Sequence, residues 1–574
     1  MVNQRRAFVN GIRYRLNQCP LCWKLQVQCC RNNPSLRNDQ QTSQVPDSLR
    51  VVTSPVVDGE NNAVSFDVAY AVKGDTLSQT IESIKRLHGD NVYLLPISGA
   101  SGGGGIFQFP APSMGTVVGL QIVPTNQPRI RLGTVTDIVT LSLDEIVIDT
   151  AQHRIYAGAG ITLDQLNQAL GDQLGAQHKV LGADLTSYTY AQVGATFMTG
   201  GMGPQRRYFS DSVTEIALHT GSRIESIVGE ALNAYAGTYG WTGIVTAVCC
   251  RYSILPKNET AFAIPISNTV DHLSRLLSCL SRWTYLKLDN NNLVTINQET
   301  DLITGIEHVT AVSMEPMFDR DGDNPITRRA EALKQKCLAI GADGLLFVNG
   351  YSSRPTDEFL LQLVDDTAED ELTIGGINLE YTEVFNDPEQ MRALREAIPF
   401  AARTQVPAGR YVFKGHTDAT VRLHPDWVES AMSSLWKANQ DYVTNIEQFF
   451  SEHKSVRGQI LVYGHLNPYG VDPHNRVTMA CDDETVFQQT VAFLHTQRQH
   501  FYQAMRHLCD DTGSIFVGGE KGAGSEQEIL PALGNLKNLP GSLAKKFERQ
   551  SELVRATPAI YSWRALAPYR NPQA

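Results

Sequence analysis

The chain lacks the features that mark several other classes of protein. It contains no uncharged apolar run of about 18 residues, so no membrane-spanning helix is expected. Its 10 cysteines are too few to build a disulfide scaffold in a chain of 574 residues. Its 49 basic residues are outnumbered by 60 acidic residues, which argues against general nucleic-acid binding, because that requires clustered Lys and Arg. With 42% hydrophobic and 19% charged residues, the composition predicts a globular protein of roughly two to four domains.

The beginning of the chain differs in charge from the rest. Seven of the basic residues and none of the acidic residues lie in residues 1–38, so residues 39–574 carry a formal charge of −18. Residues 1–50 are predicted to be a basic, disordered leader and linker. Organelle-targeting peptides are also rich in Arg and poor in acid, but this leader is not rich in Ser, so we expect a cytoplasmic protein, with mitochondrial targeting as the alternative. Its cysteines lack the second spaced pair or the histidines of a zinc site; they are Cys19, Cys22, Cys29 and Cys30.

Apolar periodicity predicts short elements in the first half of the chain. Leu77, Ile81, Ile84 and Leu87 recur at helical spacing behind Asp75, which would cap the helix. The other predicted elements here are strands at residues 92–97, 138–143, 145–149 and 154–158, and a helix capped by Thr162.

The pattern changes near Pro256. From there we predict longer helices at residues 273–280, 327–340, 388–398 and 486–508, and a strand at residues 345–348. This change predicts a domain boundary. The expected domains are residues 51–256 and 257–550, with a tail at residues 551–574.

A glycine-rich loop follows the predicted strand at residues 92–97. Residues 98–105 contain five glycines in eight positions, so their backbone N–H groups can turn inward and approach a phosphate closely. A P-loop would continue with Gly-Lys-Ser/Thr, and this loop does not. The Rossmann fingerprint requires that the loop open a helix, and no clear helix follows here. Taken alone, the loop fits a flexible surface turn as well as a pyrophosphate site.

Four glycine-containing segments together are more informative than this loop. They are residues 98–105, 158–162, 191–203 and 237–246. In order and spacing they resemble the FAD-binding domain of the vanillyl-alcohol oxidase and p-cresol methylhydroxylase (PCMH) type, over residues 51–256. The resemblance implies an α+β fold class, in which a PCMH-type FAD-binding domain is followed by an α+β substrate (cap) domain with an antiparallel sheet.

The resemblance also implies where the cofactor binds. In the family the first loop holds the pyrophosphate, and the later segments line the rest of the cofactor. The implied cofactor-binding residues are Ser98, Gly99, Ala100, Ser101, Gly102, Gly103, Thr186, Ser187, Gln192, Gly194, Thr199, Gly200, Gly203, Ile244 and Val245. Covalent members of the family attach flavin through a histidine in the first loop. This loop has none, so non-covalent FAD is predicted.

The second half resembles one branch, the FAD-linked D-2-hydroxyacid dehydrogenases, which act on D-lactate or D-2-hydroxyglutarate. Residues 391–396 are similar to the helix whose arginine binds the substrate carboxylate, here Arg395. Residues 414–421 are similar to the lysine-containing strand that follows, here with Lys414. A guanidinium can grip a carboxylate as a bidentate fork, whereas an ammonium offers a point charge.

The same branch implies a metal ion and a base. His465, His474 and Glu520 would bind a divalent ion, and two imidazoles with a carboxylate suit Zn or Mn. The chain departs from the family here, because the two histidines are further apart and Lys521 stands where the family has a histidine base. A lysine serves as a base only if its surroundings lower its pKa substantially.

The sequence therefore predicts an FAD-dependent oxidoreductase that oxidises a small 2-hydroxy acid by hydride transfer to flavin N5. Its catalytic residues would be Lys521, Arg395 and Lys414. The alternatives are a flavin-binding protein with a drifted active site, or an oxidase of an unrelated alcohol. The electron acceptor is not identified, no nucleic-acid partner is expected, and a homodimer is one oligomeric state left open.

Overall fold

A computed structural model defines the fold. It describes residues 50–51, 68–72, 76–89, 92–98, 116–185, 187–201, 203, 208–238, 240, 242–267, 301–310, 313, 324–362, 373–374, 377–404, 406–418, 420–422, 428–467, 470–512, 515–518, 549, 552–553 and 556.

The described strands that precede Pro256 form two sheets and a two-stranded ribbon. In chain order they are β1 (Arg50–Val51), β2 (Val68–Val72), β3 (Val92–Ile97), β4 (Thr116–Ile122), β5 (Arg129–Leu132), β6 (Glu145–Asp149), β7 (Arg154–Gly158), β8 (His178–Lys179), β9 (Val213–His219), β10 (Ile224–Val228), β11 (Ile244–Arg251) and β12 (Ser253–Ile254). The first sheet has the order β1-β2-β4-β3, and its last three strands run parallel. The second has the order β10-β9-β11-β7-β6-β5, and β8 pairs with β12.

The strands after Pro256 build a larger sheet. They are β13 (Asn258–Ile266), β14 (Leu302–Thr310), β15 (Gly344–Ser352), β16 (Thr373–Ile374), β17 (Ile377–Asn378), β18 (Glu383–Val384), β19 (Tyr411–Asp418), β20 (Thr420–Arg422), β21 (Arg457–Asn467), β22 (Gly470–Cys481) and β23 (Ile515–Gly518). Nine of them form one antiparallel sheet of order β18-β13-β15-β14-β21-β22-β20-β23, with β19 also paired to β22. The sheet membership thus changes around Pro256, where the sequence predicts a boundary, and the domain limits stay a prediction.

The described helices pack against these sheets. They are α1 (Leu77–His88), α2 (Leu163–Leu174), α3 (Val193–Thr199), α4 (Leu232–Tyr235), α5 (Pro325–Ala339), α6 (Thr356–Gln362), α7 (Pro388–Thr404), α8 (Val428–Glu452) and α9 (Glu484–Thr512). Helices α5 and α7 cover one face of the nine-stranded sheet, and α6, α8 and α9 cover the other. Both faces are therefore closed by apolar packing.

Local sequence explains how the first two helices form. Leu77, Ile81 and Ile84 are buried along one stripe of α1, which confirms the predicted helix, although Thr76 precedes its first turn. Helix α2 begins with a capping box. The Thr162 hydroxyl accepts a hydrogen bond from the Gln165 N–H at 3.2 Å, and the Gln165 side chain accepts one from the Thr162 N–H at 3.0 Å.

One predicted strand is wrong, and one long helix is absent from the sequence predictions. In the segment 138–143, Ile138–Thr140 forms a 3₁₀ turn rather than a strand, because Asp137 Oδ1 accepts a hydrogen bond from the Val139 N–H at 3.0 Å. Helix α8, of 25 residues, is not among the predicted elements. The helix predicted at residues 273–280 lies outside the described residues.

Two further observations concern the cysteines and the hydropathy of the helices. The described cysteines, Cys249, Cys250, Cys337, Cys481 and Cys509, are buried free thiols. Among the helices that the structure describes, none has the length and hydropathy needed to cross a bilayer.

Candidate functional site

Buried polar residues line the α7 side of the nine-stranded sheet. Glu307 in β14 pairs in register with His465 in β21, and His465 pairs with Asp472 in β22. Side chains two residues apart point to the same face, so His474 and Arg476 extend this row. We call these five residues the polar face; all are at most 3% exposed. So many buried ionisable groups in one place indicate a functional site rather than a packed core.

The two histidines of the polar face lie close together. Their ring centroids are 5.0 Å apart with the planes nearly perpendicular, and His474 Nε2 lies 3.8 Å from Asp472 Oδ2. The ring of Tyr463 stacks on His474 at 5.3 Å. Glu520, the third predicted metal ligand, lies outside the described residues. Within the described parts of the chain, no group of three His, Cys, Asp or Glu side chains has the arrangement of a metal site, so the metal site stays a prediction.

Arg395 projects from α7 and is buried against three acceptors. Its Nε donates to Glu307 Oε2 at 2.9 Å, and its Nη1 donates to Asn349 Oδ1 at 2.5 Å and to Asp184 Oδ2 at 3.4 Å. Burial lowers the pKa of the guanidinium, but the two carboxylates outweigh burial and hold the pKa above its ordinary value. Arg395 is therefore a permanent cation with two anionic partners.

These contacts limit what Arg395 can offer a ligand. A guanidinium has five N–H groups, one on Nε and two on each Nη. The described acceptors occupy Nε and both hydrogens of Nη1. The two N–H groups of Nη2 are left for a ligand. They belong to one nitrogen, whereas the fork expected from the sequence uses two nitrogens.

Like Asp472, Glu307 is a fully buried acid of the polar face. Burial raises the pKa of its carboxyl, and the charge of Arg395 opposes the shift. Oε2 accepts from Arg395, whereas no described residue donates a hydrogen bond to Oε1. Sequence analysis did not identify this residue.

Asp184 joins the polar face to the first half of the chain. Burial alone would raise the pKa of its carboxyl, but Arg395, Arg392 and Lys179 together hold the pKa below its usual range. Arg392 lies one helical turn before Arg395, and its Nε is 4.0 Å from Asp184 Oδ1. The carboxylate of Asp184 therefore bridges two arginines of α7.

Further contacts hold α7 against the segment that follows Asp184. The Thr189 hydroxyl donates to Glu396, and the Tyr188 hydroxyl donates to Glu389 Oε2 at 3.4 Å. Arg392 also forms ion pairs with Glu389 and with Glu259 of β13. A network of charged and hydroxyl groups thus links α7, β13 and residues 184–189.

The network is expected to make stability depend on pH. Burial raises the pKa of Glu396 from 4.5 to about 7, partly opposed by the hydrogen bond from Thr189. Between those values the folded protein keeps a proton that the unfolded chain releases, so stability falls as pH rises through this window. Relative to Glu396→Gln, the native protein should lose on the order of 1 kcal/mol of unfolding free energy between about pH 5 and pH 8, since partial exposure weakens the full effect. Chemical denaturation of both proteins across that range tests this; parallel pH profiles would contradict it.

Lys414 lies beside the polar face. It is half-buried in β19 and pairs in register with Thr478 of β22, two residues along from Arg476. Its side chain therefore projects to the same face of the sheet. Lys521, the predicted base, lies outside the described residues.

The described parts of the four glycine-containing segments converge at one edge of the first sheet. Strands β3 and β4 are parallel, so their carboxyl ends lie side by side, and Ser98 follows directly from β3. The Gln192 side chain donates to the Ile122 carbonyl at the end of β4, at 3.2 Å. A Cβ on Gly240 would lie 3.2 Å from Pro96 near the end of β3. Ser98, the first residue of the predicted loop, thus lies at the end of the sheet that the described parts of the other segments approach.

The later segments also pack directly on one another. A Cβ on Gly194 would lie 3.0 Å from the Ala159 Cβ and 3.3 Å from the Val245 carbonyl, and Ile244 is the buried neighbour of Val245. Gly200 takes a left-handed conformation that ends α3, and a Cβ there would lie 3.5 Å from the Gly237 Cα.

Gln192 marks the centre of this region. Its side chain is fully buried, and no described residue donates a hydrogen bond to its Oε1. Ser187 and Thr199 lie half-buried nearby in sequence, and Gly203 packs on the Asp184 carbonyl. Of the remaining predicted cofactor residues, Gly99–Gly103 and Thr186 lie outside the described residues. Several of the described ones pack together near the carboxyl ends of β3 and β4.

Comparison with known proteins supports the fold. A solved structure of alkyldihydroxyacetonephosphate synthase in space group P1 matches with a TM-score of 0.52 and 12% identity, covering 88% of this chain and 77% of that one. A second structure of that enzyme, in space group P212121, matches with a TM-score of 0.54 and 12% identity, covering 92% and 84%. No protein-family model and no curated protein sequence matches the chain. The likeness confirms the predicted fold class, a PCMH-type FAD-binding fold with an antiparallel-sheet domain, and leaves the hydroxy-acid branch a prediction.

Proposed function

We propose that the protein is an FAD-dependent oxidoreductase that oxidises a small 2-hydroxy acid. The observation that carries the proposal is the convergence of the glycine-containing segments within reach of the polar face. Gly203 of one segment packs on the Asp184 backbone, and the Asp184 side chain binds Arg395 beside the polar face. Cofactor and substrate residues would thus lie on neighbouring surfaces, as hydride transfer requires.

The residues at the edge of the first sheet fit FAD. Gln192 contributes a buried oxygen without a described donor. We propose that the glycine-rich loop at residues 98–105 supplies the backbone N–H groups that suit a pyrophosphate. Bound FAD would supply the group that accepts a hydride from the α-carbon of the substrate. We propose that it binds without a covalent bond, because the loop at residues 98–105 contains no histidine.

The protein side chains would bind the substrate and accept its hydroxyl proton. Arg395 would donate the two N–H groups of Nη2 to the carboxylate, and Lys414 would add a second positive charge. Lys521 or another base would accept the hydroxyl proton as the C–H bond breaks. His465 and His474, together with Glu520, would hold a divalent ion that lowers the pKa of the substrate hydroxyl. The reoxidising electron acceptor is not identified.

One observation favours a second candidate. The two carboxylates around Arg395 leave that cluster with a net negative charge, which disfavours an anionic substrate. An alcohol without a carboxylate would avoid this repulsion. The second candidate is therefore a flavin-dependent oxidase of an uncharged alcohol.

Anaerobic flavin reduction distinguishes the two candidates. The purified full chain is offered a panel of D-2-hydroxy acids, their L-enantiomers, and the matched alcohols in which a methyl group replaces the carboxylate. We expect bleaching of the flavin absorbance with at least one D-acid, and slower bleaching after treatment with a chelator. Reduction by the matched alcohols alone would favour the second candidate. A flavin that every compound leaves oxidised would contradict both and favour a drifted active site.

A further inference from the structure

We propose that Asp184 is a positioning residue for substrate binding, which acts by fixing the guanidinium of Arg395. It would hold the side chain in the one orientation that presents Nη2 to the substrate. The inference rests on the proposed function and deepens it. Asp184 itself need not touch the substrate.

The geometry around Arg395 supports this role. Glu307 and Asn349 both lie on the nine-stranded sheet, in β14 and β15, and they bind Nε and one hydrogen of Nη1. These two acceptors lie on the same sheet, so they hold the group from one side. Asp184 comes from a different part of the chain and takes the second hydrogen of Nη1. Three acceptors from two directions define the plane of the guanidinium. Two acceptors on one surface would restrain that plane less.

The placement of Asp184 links this arginine to the predicted cofactor segments. A Cβ on Gly203 would lie only 2.4 Å from the Asp184 carbonyl oxygen, so the two backbones are in direct contact. A shift of the segment at residues 191–203 would therefore move Asp184, and Asp184 would carry Arg395 with it. This contact would keep the substrate arginine in register with the cofactor.

The charge balance agrees with a positioning role. Asp184 is shared between Arg395 and Arg392, with Oδ2 near the first and Oδ1 near the second. A carboxylate that bridges two cations one helical turn apart is itself restrained on both sides. Its amide analogue, Asn, keeps the shape but loses the charge that both arginines require.

The same interface provides a matched control. Thr189 and Glu396 also connect the segment after Asp184 to α7, and Glu396 directly follows Arg395 in sequence. Neither side chain contacts the guanidinium of Arg395 in any described hydrogen bond or ion pair. Glu396→Gln therefore changes the charge at this interface and leaves every described hydrogen bond of Arg395 in place.

The test compares Asp184→Asn, Asp184→Glu and Glu396→Gln in the FAD-loaded full chain. KM and kcat are measured with the best D-2-hydroxy acid, and the Kd of the corresponding 2-oxo acid is measured by calorimetry. We expect Asp184→Asn to raise both KM and Kd by about tenfold or more, because a misplaced binding group loses much of its contribution. Asp184→Glu should recover part of the loss, and Glu396→Gln should keep both constants within about twofold of the native protein.

Each outcome decides the proposal. If Asp184→Asn leaves KM and Kd unchanged while the native protein is active, the positioning role is wrong and the proposed function stands. If Asp184→Asn and Glu396→Gln alter KM and Kd equally, Asp184 is only an interface residue, and the proposal is again overturned. A native protein that no hydroxy acid reduces would overturn the proposed function and this inference together. Thermal unfolding of each variant with FAD bound identifies any that fail to fold, in which case Asp184→Glu supplies the comparison.

Discussion

Replacing Arg395 with methionine is expected to destabilise the protein by about 3–5 kcal/mol, because removal of one partner leaves buried charges uncompensated. Glu307 is fully buried and would lose the arginine that pairs with it, whereas the largely buried Asp184 would keep the more distant Arg392. Methionine keeps an unbranched apolar stem in the place of the arginine stem, which limits the cavity term. Chemical denaturation with FAD bound measures the change, and loss of substrate-dependent flavin reduction should accompany it.

Two comparisons separate the charge effect from general damage. Arg129→Met breaks an exposed ion pair with Asp144, so it should cost less than about 1 kcal/mol. Adding Glu307→Gln to Arg395→Met should restore part of the lost stability, because one unpaired acid is removed. If Arg395→Met costs no more than Arg129→Met, the ion-pair cluster is not the structural centre that its burial indicates.

The same variant should respond to pH in a defined direction. Burial already raises the pKa of Glu307, and loss of the arginine removes the main charge that opposes the shift. In the folded variant the Glu307 carboxyl would then keep its proton at pH values where the same carboxyl in the unfolded chain has lost it. The stability of the variant therefore rises as pH falls toward the ordinary pKa of a glutamate. The deficit relative to the native protein should therefore be smaller at about pH 5 than at about pH 8.

Gly464→Ala is expected to disrupt the polar face from within the sheet. A Cβ at this position would lie 2.3 Å from the Asp472 carbonyl oxygen and 3.0 Å from the Pro473 Cα, both in the paired strand β22. Backbone atoms cannot rotate away as side chains can, so β21 and β22 must separate. We expect a loss of about 3 kcal/mol and displacement of the neighbouring His465.

Gly458→Ala in the same strand is the matched control. Its Cβ would collide with the ring of Phe450, which is a side chain at the edge of the core and can move. The control should therefore lose less stability than Gly464→Ala and retain flavin reduction. Equal losses in the two variants would show that the strand contact at Gly464 has no special importance.

The fold could be predicted where local signals were strong. The stripe of Leu77, Ile81 and Ile84 identified α1, and Thr162 identified the start of α2, because capping and periodicity act within one or two turns. The strand predicted at residues 138–143 failed for a local reason. Ile138 and Leu141 are buried three residues apart, which is the spacing of a 3₁₀ turn, and the Asp137 side chain accepts a hydrogen bond from the backbone of that turn.

The candidate site was predicted only in part. Arg395 could be proposed from its motif, but its partners could not, because Glu307 and Asp184 are 88 and 211 residues away in sequence. One signal did exist. Glu307 is the only acid in the strand Leu302–Thr310, which is otherwise mostly apolar, and an acid that is buried in a strand needs a cationic partner. That His465 and Asp472 lie beside Glu307 follows only from the register of the strands, which the structure provides.

Non-covalent binding of FAD is the property on which the proposed function depends most. The most direct measurement is the visible absorption spectrum of the purified full chain, before and after denaturation and removal of the polypeptide by filtration. We expect a flavin spectrum in the native protein and a stoichiometric amount of free FAD in the filtrate. A colourless protein that takes up no added FAD would show that the chain is not a flavoprotein, and flavin that remains on the denatured polypeptide would show that the bond is covalent.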